Sequence, residues 1–158
     1  SPVVEPILMQ FTVTSRLVHK GLEGLPEDDA WRQLEGTANP VAWIVGHMTE
    51  TRGQMLALFG VTFDAGWGGV FKRGVARVDR AHYPSRDAIA AAFAQSTPLV
   101  EAAVRGLDPA RLAAAPPVSF GGAKTTADLL AFFAFHEAYH VGQIGFIRKN
   151  LGHASLVG

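Results

Sequence analysis

The sequence predicts an all-α protein, a four-helix bundle with a long crossover between helices 2 and 3. Four segments carry apolar residues at the three- and four-residue spacing of amphipathic helices. No segment alternates apolar and polar residues over the length of a strand, apart from a short stretch at residues 75–78. We expect a single domain over residues 1–158, because a chain of this length buries enough apolar surface for one core.

The first two helices are separated by a connection that is rich in turn and charged residues. The first helix is predicted over residues 5–22. The second is predicted to begin with Asn39 as its N-cap and Pro40 at its first helical position, since these residue types favour those places. It is predicted to stop before Gly60, because glycine commonly follows the last helical turn. Both helices carry an apolar stripe.

The third and fourth helices also begin at residues that favour helix starts. Ser85 is the predicted N-cap of the third. The fourth opens with Thr125 and has Asp128 three residues later, which is the capping-box pattern with aspartate in the acidic place. This helix is predicted to run to about Leu151.

The connection between the second and third helices, residues 61–84, is long and combines glycines with aromatic residues. Structureless connections of this length are uncommon unless they are functional or disordered. The aromatic residues Phe63, Trp67 and Phe71 argue against plain disorder. We therefore expect a crossover that partly covers one end of the bundle.

Composition excludes several classes of function. Lys plus Arg and Asp plus Glu number 14 each, so the net charge is zero and no basic run is available for phosphate-backbone binding. The longest strongly apolar run, residues 127–135, is far shorter than the roughly 20 residues that span a bilayer. The first residues do not resemble a secretion signal. We expect a cytoplasmic protein that binds neither nucleic acid nor membranes. Because there is no cysteine, any thiol chemistry would arrive with a substrate.

His136 and His140 are four residues apart on the strongest predicted helix. Residues at this spacing lie on one face, so their two imidazoles can converge on one ion. Both positions fall within the predicted apolar stripe, and we expect both rings to point into the core. A buried polar ring without a partner costs roughly 1–3 kcal/mol, which a metal ion would offset. Two core histidines bonded to backbone or carboxylate groups are the alternative.

A third ligand has to come from earlier in the chain, and His47 is the best candidate. It lies in the middle of the second helix beside the apolar stripe, where a lone histidine would otherwise be a core or boundary residue. Near helix ends, in loops and near the C-terminus, a solvated side chain is expected, and three histidines occupy such places: His19, His82 and His153.

Two other metal chemistries match only in part. Residues 136–140 fit the H-E-x-x-H motif of zinc proteases, but no carboxylate follows Glu137 to complete that site. The longer form of the motif needs glycine and histidine where this chain has Gln143 and Phe146. A carboxylate-bridged two-metal bundle needs a second Glu-x-x-His, and residues 47–50 present those residue types in reverse order.

The sequences NPVAWIVGH at residues 39–47 and HEAYHVGQI at residues 136–144, followed by Arg148 and Leu151-Gly152, make a recognisable pair. The chain resembles the DinB-like superfamily of metal-binding four-helix-bundle proteins, which includes bacillithiol transferases and mycothiol-dependent maleylpyruvate isomerases. The resemblance implies a divalent metal ion, nickel or zinc above all, held with water by the histidines of these segments: His47, His136 and His140. It also implies a homodimer.

Three neutral imidazoles would leave such an ion coordinatively open, which is typical of catalytic rather than structural sites. An open ion lowers the pKa of a bound water, giving a hydrolase, or of a bound thiol, giving an S-transferase or thiol-dependent isomerase. The resemblance favours transfer of a small thiol to an electrophile. A non-catalytic metal-binding stress protein is the third hypothesis. Glu50 and Glu137 are candidates for a base or for partners of the ligands, with a structural or solvated carboxylate as the alternative.

Overall fold

A computed structural model describes residues 2–35 and 39–157. Within these ranges the regular structure is entirely helical, which confirms the predicted all-α class. Four long helices form the bundle, and two short helices and one 3₁₀ turn lie in the connections. The elements are α1 (Val4–Leu22), α2 (Glu27–Ala30), α3 (Val41–Leu58), the 3₁₀ turn (Arg80–His82), α4 (Arg86–Arg105), α5 (Pro109–Ala113) and α6 (Thr126–Asn150).

The directions of the long helices follow from two clusters of buried apolar residues, one at each end of the bundle. The first cluster joins the C-terminal halves of α1 and α6 to the N-terminal halves of α3 and α4. The second joins the opposite halves of the same helices. Therefore α1 and α6 run one way, and α3 and α4 run the other. Both α1 and α3 pack mainly on α4 and α6, so α1 and α3 lie on a diagonal.

Because α3 and α4 are parallel neighbours, the chain between them has to return along the length of the bundle. This segment, residues 59–85, is the crossover, and its position between the second and third long helices is as predicted. It passes from the second cluster, where Phe63 packs, to the first, where Phe71 is completely buried. Trp67, Val70 and Tyr83 of the crossover also pack against the first cluster, at one end of the bundle.

Two glycines on α3 let the crossover lie close against the helix. A Cβ atom added at Gly53 would lie 2.8 Å from the backbone oxygen of Phe63, and one added at Gly46 would lie 2.6–2.7 Å from ring atoms of Phe71. Real Cβ atoms essentially never approach so closely. The missing side chains therefore make room for the crossover, and Gly46 does so directly beside His47.

The helix starts agree with the sequence patterns in two cases and differ in one. Ser85 caps α4 and Thr125 caps α6 with its capping box, as predicted. The predicted start of α3 is wrong by one residue, since Pro40 is the N-cap and Asn39 lies outside the helix. The side chain of Asn39 accepts a hydrogen bond from Arg77 of the crossover and does not cap α3.

Candidate metal centre

The face that α6 buries differs from the predicted stripe. Its buried centre runs through Leu130, Ala134, Glu137 and Val141. His136 and His140 flank this line and are half-buried, so the expectation that both rings point into the core is wrong. The sequence pattern misplaced the stripe because it did not anticipate a buried glutamate. Half-burial places the rings at the boundary between α6 and α3.

The three predicted ligands meet at this boundary. His136 Nε2 lies 3.2 Å from His47 Nε2 and 3.1 Å from His140 Nε2. One ligand atom from each residue lies within 4.8 Å of the others. Two imidazole nitrogens that are each roughly 2.0–2.1 Å from one ion lie about 3 Å apart. The spacing therefore fits a single metal ion, and in the described ranges no other group of three or more His, Cys, Asp or Glu side chains has it.

In two of the rings, the hydrogen bond made by Nδ1 determines that Nε2 is free to bind an ion. His47 Nδ1 lies 2.9 Å from the backbone oxygen of Phe71, and His140 Nδ1 lies 2.7 Å from Gln143 Oε1. Both oxygens can only accept, so each Nδ1 carries the proton and donates. The Nε2 atoms of both rings consequently present lone pairs toward His136. Hydrogen bonds of this kind orient the histidine ligands of metal sites.

The surroundings of His136 also suit a cation. Its Nδ1 is buried without a hydrogen-bond partner, while its Nε2 faces the Nε2 atoms of His47 and His140. A proton on His136 Nε2 would serve only one of those two lone pairs. A divalent ion would accept all three lone pairs at once, so the donor set fits an imidazole-bound metal such as zinc or nickel.

Burial keeps all three rings in the form that binds metals. It lowers the pKa of His47 and of His140 from the ordinary histidine value. For His136 burial, reinforced by the neighbouring His140 and His47, lowers the pKa to about 3. The rings are therefore neutral at pH 7, and a metal ion does not have to displace protons from them.

Glu137, although it lies between the two histidines of α6, does not face the cluster as a free base. Its Oε1 accepts from Arg52 Nε at 2.6 Å, and its Oε2 accepts from Arg52 Nη2 at 2.9 Å and Thr14 Oγ1 at 2.7 Å. Arg52 and Glu137 are 2% and 3% exposed. Both carboxylate oxygens thus accept hydrogen bonds from buried side chains. Of the alternatives considered for Glu137, the structural carboxylate is the one that fits. The base that an H-E-x-x-H protease requires is not available.

Arg52 is the residue that sequence reasoning missed. Besides Glu137, its guanidinium donates to the hydroxyl groups of Ser15, Ser96 and Thr97, and so it connects all four long helices. The available signal was an arginine between two methionines of the apolar stripe of α3, at a position that helical spacing places inside the bundle.

Glu50 lies one turn after His47 on α3. Its Oε2 is buried and makes no hydrogen bond. Burial raises the pKa of this carboxyl, while the backbone N–H of Phe71, the Lys72 ammonium and the N–H of Gly69 oppose the rise. The peptide groups of Phe71 therefore face both residues: its carbonyl accepts from His47, and its N–H points toward Glu50.

Aromatic rings surround the cluster on two sides. Trp43 stacks on His47 with ring centres 5.4 Å apart and planes within 10°. Tyr139 meets His140 edge-on at 5.4 Å. Trp67 packs partly buried against the core.

The three remaining histidines are not part of the cluster. We expected solvated side chains at all three, and His82 is indeed exposed. His153 differs, because its Nε2 lies 2.8 Å from Asp29 Oδ2 in a partly buried contact near the end of the described chain.

The structure thus defines a class, a helical bundle whose α3 and α6 together present three imidazoles that could hold one metal ion. The model of the DinB superfamily matches residues 10–144, and the chain belongs to this superfamily. The match includes all three histidines and confirms the resemblance inferred from the two sequence segments. A comparison with curated proteins found no match. In the described ranges, no helix combines the length and the apolar character that crossing a membrane requires.

Proposed function

We propose that the protein is a metal-dependent enzyme that activates a low-molecular-weight thiol for transfer to an electrophile, as an S-transferase or thiol-dependent isomerase. The observation that carries the proposal is the convergence of His47, His136 and His140 without a fourth candidate ligand in their group among the described residues. Three protein ligands are typical of catalytic sites, whereas structural zinc usually has four.

Nickel or zinc is the proposed metal, because imidazole ligands suit both. When bound, such an ion lowers the pKa of a coordinated thiol and so supplies the thiolate at neutral pH. The protein contributes the orientation of the ligands: Phe71 and Gln143 hold two of the rings by their Nδ1 atoms. The chain has no cysteine, so no thiol of its own competes for the electrophile.

Thiol transfer also demands less of the surrounding residues than hydrolysis does. In the transfer a sulfur–carbon bond forms, the bond to the leaving group breaks with its electron pair, and the thiol proton passes to solvent. Hydrolysis at an H-E-x-x-H site needs the glutamate to take a proton from water. Glu137 is held by Arg52 instead, which favours the transferase over the hydrolase.

We further propose that the protein acts in the cytoplasm as a homodimer. A small thiol stays reduced in that compartment. Support for a second copy comes from an apolar face on α1 and α6, where Met9, Phe135, Tyr139 and Phe146 are 57–68% exposed. Large apolar side chains grouped on a surface are typical of protein interfaces.

Thiol consumption by the metal-loaded protein tests the proposed activity. The assay supplies glutathione, bacillithiol or mycothiol together with an electrophile such as 1-chloro-2,4-dinitrobenzene. We expect consumption that stops on chelation and in His47→Ala, and that persists in His82→Ala, a control at an exposed histidine outside the cluster. Consumption that is unchanged in His47→Ala would rule out the proposed role of the cluster.

A further inference from the structure

A cavity of about 370 Å³ lies between α3 and the glycine-rich part of the crossover. This volume is within the range of small-molecule sites. The wall on α3 includes Glu50 and Gln54, and the wall on the crossover includes Phe63, Asp64 and Lys72. Glu50 is three residues after His47, which is a rise of about 4.5 Å along the helix on the same face. The cavity therefore begins one helical turn from the histidine cluster.

The walls of this cavity carry charges of both signs. Glu50 Oε2 is buried and has no partner. Lys72 and Asp64 both lie near enough to Glu50 to influence its pKa, in opposite directions. Among the described residues, none of these three side chains takes part in a salt bridge within 4.0 Å. Asp64 accepts a hydrogen bond from the backbone N–H of Gly66, and the N–H groups of Phe71 and Gly69 act on Glu50, but no contact with an opposite charge neutralises the three groups.

Gly69 leaves room for the Lys72 side chain to lie against the crossover backbone. Gly69 has a φ of +82°, and a Cβ atom there would lie 3.0–3.2 Å from Cδ, Cε and Nζ of Lys72. The lysine side chain therefore lies directly over the glycine. Lys72 therefore lines the crossover side of the cavity, while Glu50 lines the α3 side.

We propose that this cavity binds the amino-acid headgroup of a γ-glutamyl thiol such as glutathione, with the ligand ammonium at Glu50 and Asp64 and its carboxylate at Lys72. Glu50 forms part of the cavity wall, so a ligand ammonium in the cavity would pair with its carboxylate. The positive charge of Lys72 disfavours a second metal ion in the same space. This proposal rests on the proposed function for the identity of the ligand, because a thiol anchored one turn from His47 carries its sulfur close to the cluster.

Calorimetric titration with S-methylglutathione tests the cavity alone. This probe keeps the ammonium and carboxylate but cannot supply a thiolate to a metal. We expect binding that is weakened about tenfold or more by Glu50→Gln, because a hydrogen bond between charged groups is lost. Lys72→Met, a change at an exposed side chain that leaves the core intact, should weaken binding several-fold. Glu23→Gln, at an exposed carboxylate outside the cavity, should leave it unchanged.

The ligand offers a matching control. S-methylglutathione that is acetylated on its α-amino group should bind at least as weakly to the wild type as the unmodified probe binds to Glu50→Gln. Equal binding of the two probes, equal binding to wild type and Glu50→Gln, or no binding at millimolar concentration would each overturn the proposal.

The two proposals fail in different ways. S-methylglutathione should still bind to His140→Ala, which removes one of the clustered imidazoles and leaves the cavity walls in place. If that binding persists while no thiol is consumed with any electrophile, the proposed activity is wrong and the cavity assignment stands. If thiol is consumed and depends on His47, but Glu50→Gln binds the probe as the wild type does, the cavity assignment is wrong and the activity stands.

Discussion

Arg52→Met would leave the carboxylate of Glu137 in the core without its cationic partner. The two side chains are 2% and 3% exposed, so solvent cannot replace the guanidinium. Removing one member of a buried ion pair costs about 3–5 kcal/mol of folding free energy. The hydroxyl of Thr14 still donates to Glu137 Oε2, which places the expected loss near the lower end, about 3 kcal/mol. This is a large part of the roughly 5–15 kcal/mol that stabilises a typical domain.

Urea unfolding followed by far-ultraviolet circular dichroism measures this loss. The experiment is done with a chelator present, because a bound metal would stabilise the folded state by mass action. Arg105→Met is the matched control, since Arg105 pairs with Glu5 and Glu101 on the exposed surface. The free energy of unfolding of Arg105→Met should fall by no more than about 1 kcal/mol.

A double variant tests the same ion pair in a second way. In Arg52→Met/Glu137→Leu neither charge remains in the core, so much of the lost stability should return. If Arg52→Met loses less than about 1 kcal/mol of folding free energy, as an exposed ion pair would, then Arg52 does not stabilise the buried Glu137 carboxylate as described. The same follows if the double variant is less stable than the single one by a further similar amount. Because Arg52 and Glu137 join the helices that carry the histidines, Arg52→Met should also weaken metal binding.

Three further changes test other parts of the structure. Gly46→Ala would push a Cβ atom against the Phe71 ring, so it should cost about 1–3 kcal/mol in thermal or urea unfolding and weaken metal binding by displacing the carbonyl that holds His47. Gly142→Ala is its control, because nothing lies within 4 Å of that position, and it should be stabilising by up to about 1 kcal/mol. The metal-free protein should lose stability as the pH falls from about 6.5 toward 3. The pKa of His136 is about 3 in the folded state, so over this range the unfolded chain binds a proton at His136 that the folded chain does not. Urea midpoints that fall just as steeply over this pH range in His136→Asn would contradict the role of His136. Phe146→Glu should convert the proposed dimer to a monomer in sedimentation velocity, and an unchanged sedimentation coefficient would exclude this face from the interface.

The helices were predictable because local signals mark them. Apolar spacing and the caps Ser85 and Thr125 depend only on residues near one another in the chain. The crossover was also predictable, as a long connection that contains aromatic residues. Its path along α3 was not, because that path depends on contacts between Phe71 and Gly46 that no local pattern reveals.

The candidate site was predictable in part. The spacing of His136 and His140 places them on one face. The position of His47 beside the apolar stripe of the second helix made it the best candidate for the third ligand, and the resemblance to the superfamily supported it. The burial of the site was misjudged, because an apolar stripe predicts the buried face only when every buried residue is apolar. Glu137 lies at the centre of that face because Arg52 neutralises it, and the partner lies 85 residues away in the chain. The cavity beside Glu50 likewise depends on tertiary contacts.

Metal analysis of the purified protein tests the central claim most directly. Elemental analysis by mass spectrometry, after removal of loosely bound ions, should find about one nickel or zinc ion per chain in the wild type and much less in His140→Ala. His82→Ala should match the wild type. Equal metal content in the wild type and His140→Ala, or a wild type that takes up neither ion on titration, would contradict the assignment of the three histidines as a metal centre.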